Sequence, residues 1–414
     1  MWLRSLAVPF VLYLLALAVF AQGTSEFMLS GLVSDIAADM AVSVPAAGAL
    51  TSAFAIGMIV GAPLLAALGL RRQRRRALLG FLAAFLLAHV VGALTTSFGV
   101  LLATRVAGAL ANAGFLAVAL TTATALVPPD AKGRATSVLL GGTTLACVAG
   151  VPGGALLGQL WGWRAAFWAV ALITLPALVA VARALPADTP AAGAVPAKGP
   201  APAPAHLRAR TELRALRTPR LLVTLLLGAL VNGATFCVFT YLEPLATHVT
   251  GIGDAWVPVL LALFGLGSSV GVALGGRLAD SRPVPLLVGG TVALLAGWVV
   301  FALMAGNPVA VVVCVFVQGA LSFAVGSTLI SQAMYAAARA PTLAGGFATA
   351  ALNLGAALGP WAGGRAITGG LGYRSPLWVG ALLVTLALVT AGTAWVAGGR
   401  RGRAEGRKEA SPAA

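Results

Sequence analysis

Long apolar stretches recur along the chain, divided by short polar breaks. A helix needs about 20 mostly apolar residues to cross a bilayer. On that basis the pattern predicts transmembrane helices over residues 6–34, 44–68, 77–95, 98–126, 136–160, 165–184, 220–246, 255–276, 284–305, 308–334, 342–368 and 375–397. One connection is long. Residues 185–219 begin PADTPAAGAVPAKGPAPAPA, a Pro/Ala-rich linker, and continue as HLRARTELRALR, a basic and helical piece. The expected class is an all-α integral membrane protein of twelve transmembrane helices. Its predicted organisation is a first six-helix bundle over 1–184, a linker over 185–219, a second six-helix bundle over 220–397 and a disordered tail over 398–414.

Composition agrees with that pattern. The 414 residues are 59% hydrophobic and 9% charged, and the mean hydropathy is +0.96, whereas a soluble domain is about one quarter charged. The start, Met1 to Ala21, has the outline of a signal peptide: Arg4, an apolar run, then VFA. No soluble stretch follows, so a first transmembrane helix is the better reading. Cys147, Cys237 and Cys314 lie far apart in apolar segments, without metal or disulfide spacing, and read as structural.

The net charge of +16 is unevenly placed. Twenty-three of the 27 basic residues fall on one side: Arg4, the RRQRRR loop, Lys132 and Arg134, the linker region, Arg277, Arg282, Arg339 and the tail. Basic loops face the cytoplasm, so both termini are expected there, in a multi-pass protein of the cell membrane. The basic excess is therefore a topology signal, and nucleic acid is not an expected partner. No nucleotide loop is visible. His89, His206 and His248 form no cluster with acids, so an enzyme, a metal or a cofactor is not expected.

The two halves repeat at an offset of 210 residues. Gly57-xxx-Gly61 matches Gly267-xxx-Gly271, GWRAAFW at 162–168 matches GYRSPLW at 372–378, and Gly153-Gly154 matches Gly363-Gly364. Duplication into two pseudo-symmetric six-helix bundles follows. Parallel repeats of this kind build the major facilitator fold, with the substrate site between the halves at mid-membrane.

Polar residues in apolar helices supply the candidate chemistry. Glu26 stands in FAQGTSEFMLS, about ten residues below the outer end of the first helix. Arg105 stands about seven residues below the outer end of the fourth, so the two can share a depth. An ionisable group at bilayer depth is costly. Burial favours a neutral carboxyl and wetting a charged one, so a cavity alternating between wet and dry would swing its hold on a proton. Glu26 with Arg105 is therefore the candidate proton-coupling pair. A static buried carboxylate is the bland alternative for Glu26, and a structural arginine that for Arg105. Gln22 shares a face with Glu26, and Asn112 with Arg105. Asp35 and Asp39 are expected to be solvated. In the second half Asn232, Tyr241, Glu243, Gln318, Gln332 and Asn353 are polar, and Asn232, Tyr241 and Asn353 join Gln22 and Asn112 as cavity candidates. On the fifth helix Gly142, Ala146, Gly150, Gly154 and Gly158 recur every four residues. That smooth face suits close helix approach, and Pro152 favours a kink.

Long runs carry a resemblance. QGTSEFMLSGL, TSAFAIGMIVGAP, FGVLLATRVAGALANAGFLAVAL, KGRATSVLLGGTTLACVAGVPGGALLG, WGWRAAFWAV, LVNGATFCVFTYLEP, GGRLADSRP and LSFAVGSTLIS are similar to the actinobacterial chloramphenicol exporters of the Cmx/CmlR type. These are drug:proton antiporters of the major facilitator superfamily. The resemblance implies export of chloramphenicol or a related small neutral drug, driven by protons, with no cofactor, by a monomer in the lipid bilayer. It also implies that AGVPGG, with Gly150, Pro152 and Gly154, is the gating motif of the fifth helix, and that Arg105 is the proton-transfer arginine of the fourth. GGRLADSR resembles a cytoplasmic latch motif built on Arg277 and Asp280. The aligned position in the first half is Leu70, which puts a carboxylate latch there in doubt. An exporter of sugars or other small molecules remains an alternative, as does a receptor or scaffold that does not transport. The short loops, without a sensor or kinase domain, speak against the latter.

Overall fold

The computed structural model describes residues 9–69, 74–128, 131–184, 218–278, 282–337 and 344–409. Twelve long helices cross in alternating directions: α1 (Phe10–Phe27), α2 (Val44–Gly69), α3 (Arg74–Leu94), α4 (Phe98–Ala125), α5 (Lys132–Leu145, a π-helical turn Ala146–Gly150, then Val151–Trp161), α6 (Trp163–Ala184), α7 (Pro219–Thr240), α8 (Val257–Leu278), α9 (Pro283–Met304), α10 (Pro308–Ala336), α11 (Ala344–Ala366) and α12 (Ser375–Glu409). Proline opens α7, α9 and α10, where a missing N–H costs nothing. The Asn307 side chain caps α10 by accepting from the N–H groups of Val309 and Ala310. α12 continues to Glu409, past residue 397 where its membrane stretch was expected to end. Ala, Glu, Arg and Lys there are good helix formers. Residues 185–217 of the linker, Leu70 and Asp280 lie outside the described residues.

Within each half the helices meet at glycines, and the duplication is visible atom by atom. A Cβ at Gly57 on α2 would meet Ala109 and the Val106 carbonyl of α4. A Cβ at Gly267 on α8 would meet the Phe316 carbonyl of α10. Both members of the second pair stand 210 residues after those of the first. The corners repeat too. Gly162 (φ 80°) joins α5 to α6, and Gly372 (φ 72°) precedes α12; at positive φ a Cβ would be strained.

Two expectations change. The first and seventh segments are not continuous helices. α1 stops at Phe27, followed by a 3₁₀ turn Met28–Gly31 and a short helix Val33–Asp39; α7 stops at Thr240, followed by Leu242–Leu245. The stops at Phe27 and Thr240 fall close to, but not on, the 210-residue offset, so both halves break near the same point of the repeated unit. And α11 is less apolar than the eleven helices long and apolar enough to span. Its Gly355 and Gly359 would push a Cβ into the Ala229 and Gly233 carbonyls of α7, and it also packs on α2. A helix covered by protein on two sides needs little lipid-facing hydropathy.

A Cβ at Gly271 would enter the Ala320 carbonyl region, whereas Gly276 has open space. Gly271→Ala should therefore lower the thermal midpoint in detergent by an overpacking cost of about 1–3 kcal/mol, and Gly276→Ala should leave it unchanged or raise it. Equal midpoints for the two variants would contradict the packing.

Candidate functional site

α1 and α5 form a small-residue seam beside Glu26. Gly142 lies under Ala16 and Phe20, Ala146 under Gly23, Gly150 under Thr24, Gly154 under Met28 and Gly158 under Leu32. The four-residue stripe expected on α5 is thus matched by a stripe on α1. Gly150 is the tight point, since a Cβ there would collide with the Thr24 hydroxyl. At Gly154 it would stand 3.4 Å from Met28 Cβ, an ordinary contact. Pro152 begins the second piece of α5, and the turn before it is π-helical. A proline lacks the N–H that a continuing α-helix needs, and a π-turn is one way to absorb that loss. Glu26 is half-buried in the last turn of α1, and it interacts electrostatically with Arg105 on α4 and Cys147 in the π-turn.

The structure brings Glu26 and Arg105 together without pairing them. Among the described residues the ion pair within 4 Å is Arg164–Asp39. Arg105, 2% exposed, donates instead from Nη1 to Ser25 Oγ at 2.9 Å and from Nη2 to the Ser25 carbonyl at 2.9 Å. Its guanidinium carbon sits 4.4 Å from the Phe54 ring centre, a cation–π contact. Behind Ser25, His89 Nε2 on α3 lies 2.7 Å from the Ser25 hydroxyl, and His89 Nδ1 lies 2.8 Å from the Phe85 carbonyl. Sequence reasoning missed Ser25 and His89. No spacing signal could have found them, because they are 64 residues apart.

The other candidates divide. Gln22 is buried beside the α1–α5 seam, and neither amide atom has a hydrogen-bond partner. Asn112 is buried on α4. Asn232 Nδ2 donates to the Leu352 carbonyl at 2.7 Å, tying α7 to α11, and Asn353 Nδ2 donates to Thr349 on its own helix at 3.0 Å. Tyr241 corrects its expectation: it does not line a cavity in this state. It is 1% exposed, its hydroxyl donates to the Pro360 carbonyl at 2.9 Å, and Gly48, Gly363 and Gly364 leave room for its ring. Arg277 is exposed at the end of α8.

The halves touch on one side of the membrane. Ser34 donates through its N–H (3.2 Å) and hydroxyl (2.6 Å) to Glu243 Oε2, Ser52 donates to the Ala357 carbonyl at 2.7 Å, and Gln159 donates to the Asp254 carbonyl at 2.5 Å. These lie toward the ends of α1, α5, α7 and α11 and the starts of α2 and α8. At mid-depth, Gly265 of α8 presses on the Cys147 carbonyl of the π-turn. An aromatic group joins the halves beside Glu26: Phe27 lies 5.6 Å from Phe236 and 6.4 Å from Phe239, and Phe239 stacks on Phe264 at 4.4 Å. Burial pushes the Glu243 carboxyl up, against the pull of the two Ser34 donors. Asp35 is exposed, as expected, and its carboxyl is raised, first by partial burial and then by Asp254. A separate cleft of about 600 Å³ on this closed side is lined by Ser34, Val42, Pro45, His248, Thr368 and Tyr373, away from Glu26.

Residues 15–345 match the family model of the Major Facilitator Superfamily. The chain belongs to that superfamily. It is a multi-pass membrane protein with the twelve-helix fold of its family. It is 58% identical over 383 residues to a chloramphenicol resistance protein of Streptomyces lividans, covering 92% of this chain and 95% of that protein. It is 35% identical over 382 residues to the inner membrane transport protein YdhP of Escherichia coli (strain K12), again covering 92% and 95%. In fold it is similar to the crystal structure of a bacterial homologue of the human lysosomal transporter Spinster, in an inward-facing and unoccupied conformation. The TM-score is 0.73 at 18% identity, over 93% of this chain and 96% of that one.

Asp39 is exposed, as expected, and is also paired. It accepts from Arg164 and, at 3.1 Å, from Trp163 Nε1, while Arg164 also donates to the Thr95 carbonyl at 3.1 Å. The Arg164 guanidinium, then the Trp163 indole, hold the Asp39 carboxyl below its ordinary 3.8. A depressed carboxyl adds stability above its unfolded value and loses it as pH falls through the folded one. The pair is exposed, so its worth is at most about 1 kcal/mol. Asp39→Asn should lower the thermal midpoint slightly at pH 7, with the gap to wild type closing on acidification below 3.8. A gap that persists unchanged into acid would show that the charge contributes nothing.

Proposed function

We propose that the protein is a proton-coupled exporter of chloramphenicol or a related small neutral antibiotic, working by alternating access and conferring resistance. The observation that carries this is the 58% identity to the Streptomyces lividans chloramphenicol resistance protein across nearly the whole of both chains. The site is chemically suited to it. Chloramphenicol is neutral, with a nitroaromatic end and a diol end, and pockets for such ligands combine apolar walls with a few polar groups. Phe27, next in sequence to Glu26, and Phe236 offer an aromatic wall. In this reading no bond of the drug is made or broken, and the protein is not an enzyme.

Both termini are read as cytoplasmic, which makes the closed side the outer one and this state inward-facing. The halves 1–184 and 220–397 are read as the two moving bundles, joined by 185–219. Glu26 takes the proton and Arg105 tunes it. Gln22, Asn112, Asn232 and Asn353 supply polar contacts as the cavity opens and closes, and Gly150, Pro152 and Gly154 govern the bend of α5. Exchange of one proton for one neutral drug moves a charge. A potential of about 150 mV then supplies roughly 3.5 kcal/mol, enough for a gradient of roughly 300-fold.

Cells making the protein should accumulate less chloramphenicol than cells without it, and a protonophore should abolish the difference. Unchanged accumulation with the protein confirmed in the membrane would remove the substrate assignment. Glu26→Gln mimics the protonated acid. It should still bind drug and allow downhill exchange, yet build no gradient. Drug-induced proton movement in proteoliposomes at the wild-type ratio would exclude Glu26 as the coupling group. Phe27→Ala should weaken drug binding by about 1–3 kcal/mol if the ring stacks on the drug, read as a higher half-saturating concentration.

A further inference from the structure

We propose that Ser25 and His89 are positioning residues that hold the Arg105 guanidinium on the broken end of α1 and off Glu26, leaving the Glu26 carboxyl free to exchange its proton. The inference rests on the reading of Glu26 as the coupling group. It goes beyond that reading by assigning roles to two residues outside the Glu26–Arg105 pair.

The directions of the hydrogen bonds follow from the atoms. The Phe85 carbonyl can only accept, so the His89 nitrogen 2.8 Å from it, Nδ1, carries the hydrogen. In the neutral ring Nε2 is then an acceptor. The Ser25 hydroxyl, 2.7 Å away, donates to it, which turns the oxygen's lone pairs toward Arg105 Nη1 at 2.9 Å. A His89 holding two hydrogens would instead compete with Arg105 for the Ser25 oxygen. The relay thus runs from Arg105 Nη1 through Ser25 and His89 to Phe85, with a donor meeting an acceptor at each of its three links, while Arg105 Nε has no partner.

The break in α1 completes the cradle. The last carbonyls of an α-helix have no partner within it. α1 ends at Phe27, so the Ser25 carbonyl falls in the last turn and accepts from Arg105 Nη2. The C-terminal end of a helix also carries partial negative charge. Two acceptors on one residue, a helix end and the Phe54 ring therefore replace a carboxylate as the counterpart of a buried cation. Glu26, next in sequence, accepts no hydrogen bond recorded for the described residues, although it lies within electrostatic reach of the guanidinium. Without the Ser25 hydroxyl or its His89 anchor, Nη1 loses its acceptor, and Glu26, next in sequence and within electrostatic reach, offers a charged replacement. A pair closed between them in the water-poor interior would hold the carboxylate charged.

The test is kinetic. Purified wild type, Ser25→Ala, His89→Leu and His89→Gln are reconstituted in proteoliposomes. Labelled chloramphenicol is followed in two modes: uphill transport driven by an imposed proton gradient, and energy-independent exchange. Ser25→Ala, which deletes one oxygen, and His89→Leu should each lower the maximal uphill rate about tenfold. The half-saturating drug concentration and the exchange rate should stay near wild type. His89→Gln, which keeps an acceptor at similar reach, should restore most of the uphill rate. In a Glu26→Gln background Ser25→Ala should change neither mode, since no carboxylate remains to capture the arginine.

Equal losses of exchange with and without Glu26→Gln would overturn the proposal in favour of a purely structural network. Wild-type uphill rates for Ser25→Ala and His89→Leu, with Glu26→Gln inactive in that mode, would overturn it while leaving Glu26 as the coupling group. Uphill transport by Glu26→Gln itself would remove the coupling reading first.

Discussion

Lipid tails are as apolar as the side chains they surround, so no hydrophobic drive separates one helix pairing from another inside a bilayer. What remains is how closely backbones can approach. Here the approach is close enough that a single carbon is excluded at Gly57, Gly142, Gly267, Gly271, Gly355 and Gly359, each facing a neighbour's backbone. These contacts lie within a half: α2 on α4, α1 on α5, α8 on α10 and α7 on α11. Between the halves the fit is different, with side-chain hydrogen bonds on one face and a backbone contact at Gly265 and Cys147 in the middle. α11 also packs on α2 across the two halves.

The same constraint explains what was legible in the sequence. Twelve apolar lengths and a 210-residue repeat are properties of the string, and the glycine spacing on α5 read directly as a contact face. Its partner stripe on α1, Ala16 to Leu32, is written in ordinary residues and has no signature. The breaks at Phe27 and Thr240 contain neither Gly nor Pro at the stopping residue, so propensity did not mark them. Tyr241 had the composition of a cavity residue and the environment of a strut. The pairing of Asp39 with Arg164 spans 125 residues, and nothing in local pattern encodes such a distance. The Arg277–Asp280 latch cannot be compared, because Asp280 lies outside the described residues.

Arg105 shows how a costly group becomes affordable. An unpaired cation in hydrocarbon is expensive by any scale. This one is surrounded by a hydroxyl, a carbonyl, a helix end and an aromatic face, none of which carries a full negative charge. Had the cation been neutralised by Glu26, the carboxylate would have been committed as well. Spreading the counter-charge over neutral dipoles keeps one ionisable group uncommitted at the same depth.

Duplication copied the scaffold but not this chemistry. At 210 residues beyond Glu26, Arg105 and His89 stand Phe236, Val315 and Val299. The mid-membrane wall is therefore titratable on one half and aromatic or aliphatic on the other. An electric field across the bilayer exerts about 2.3 kcal/mol per charge per 100 mV, and it can grip only charges. The positions that correspond to Glu26, Arg105 and His89 in the second half carry no charge for such a field to act on. On the reading of Glu26 as the coupling group, voltage would act as a lever attached to one arm of a hinge.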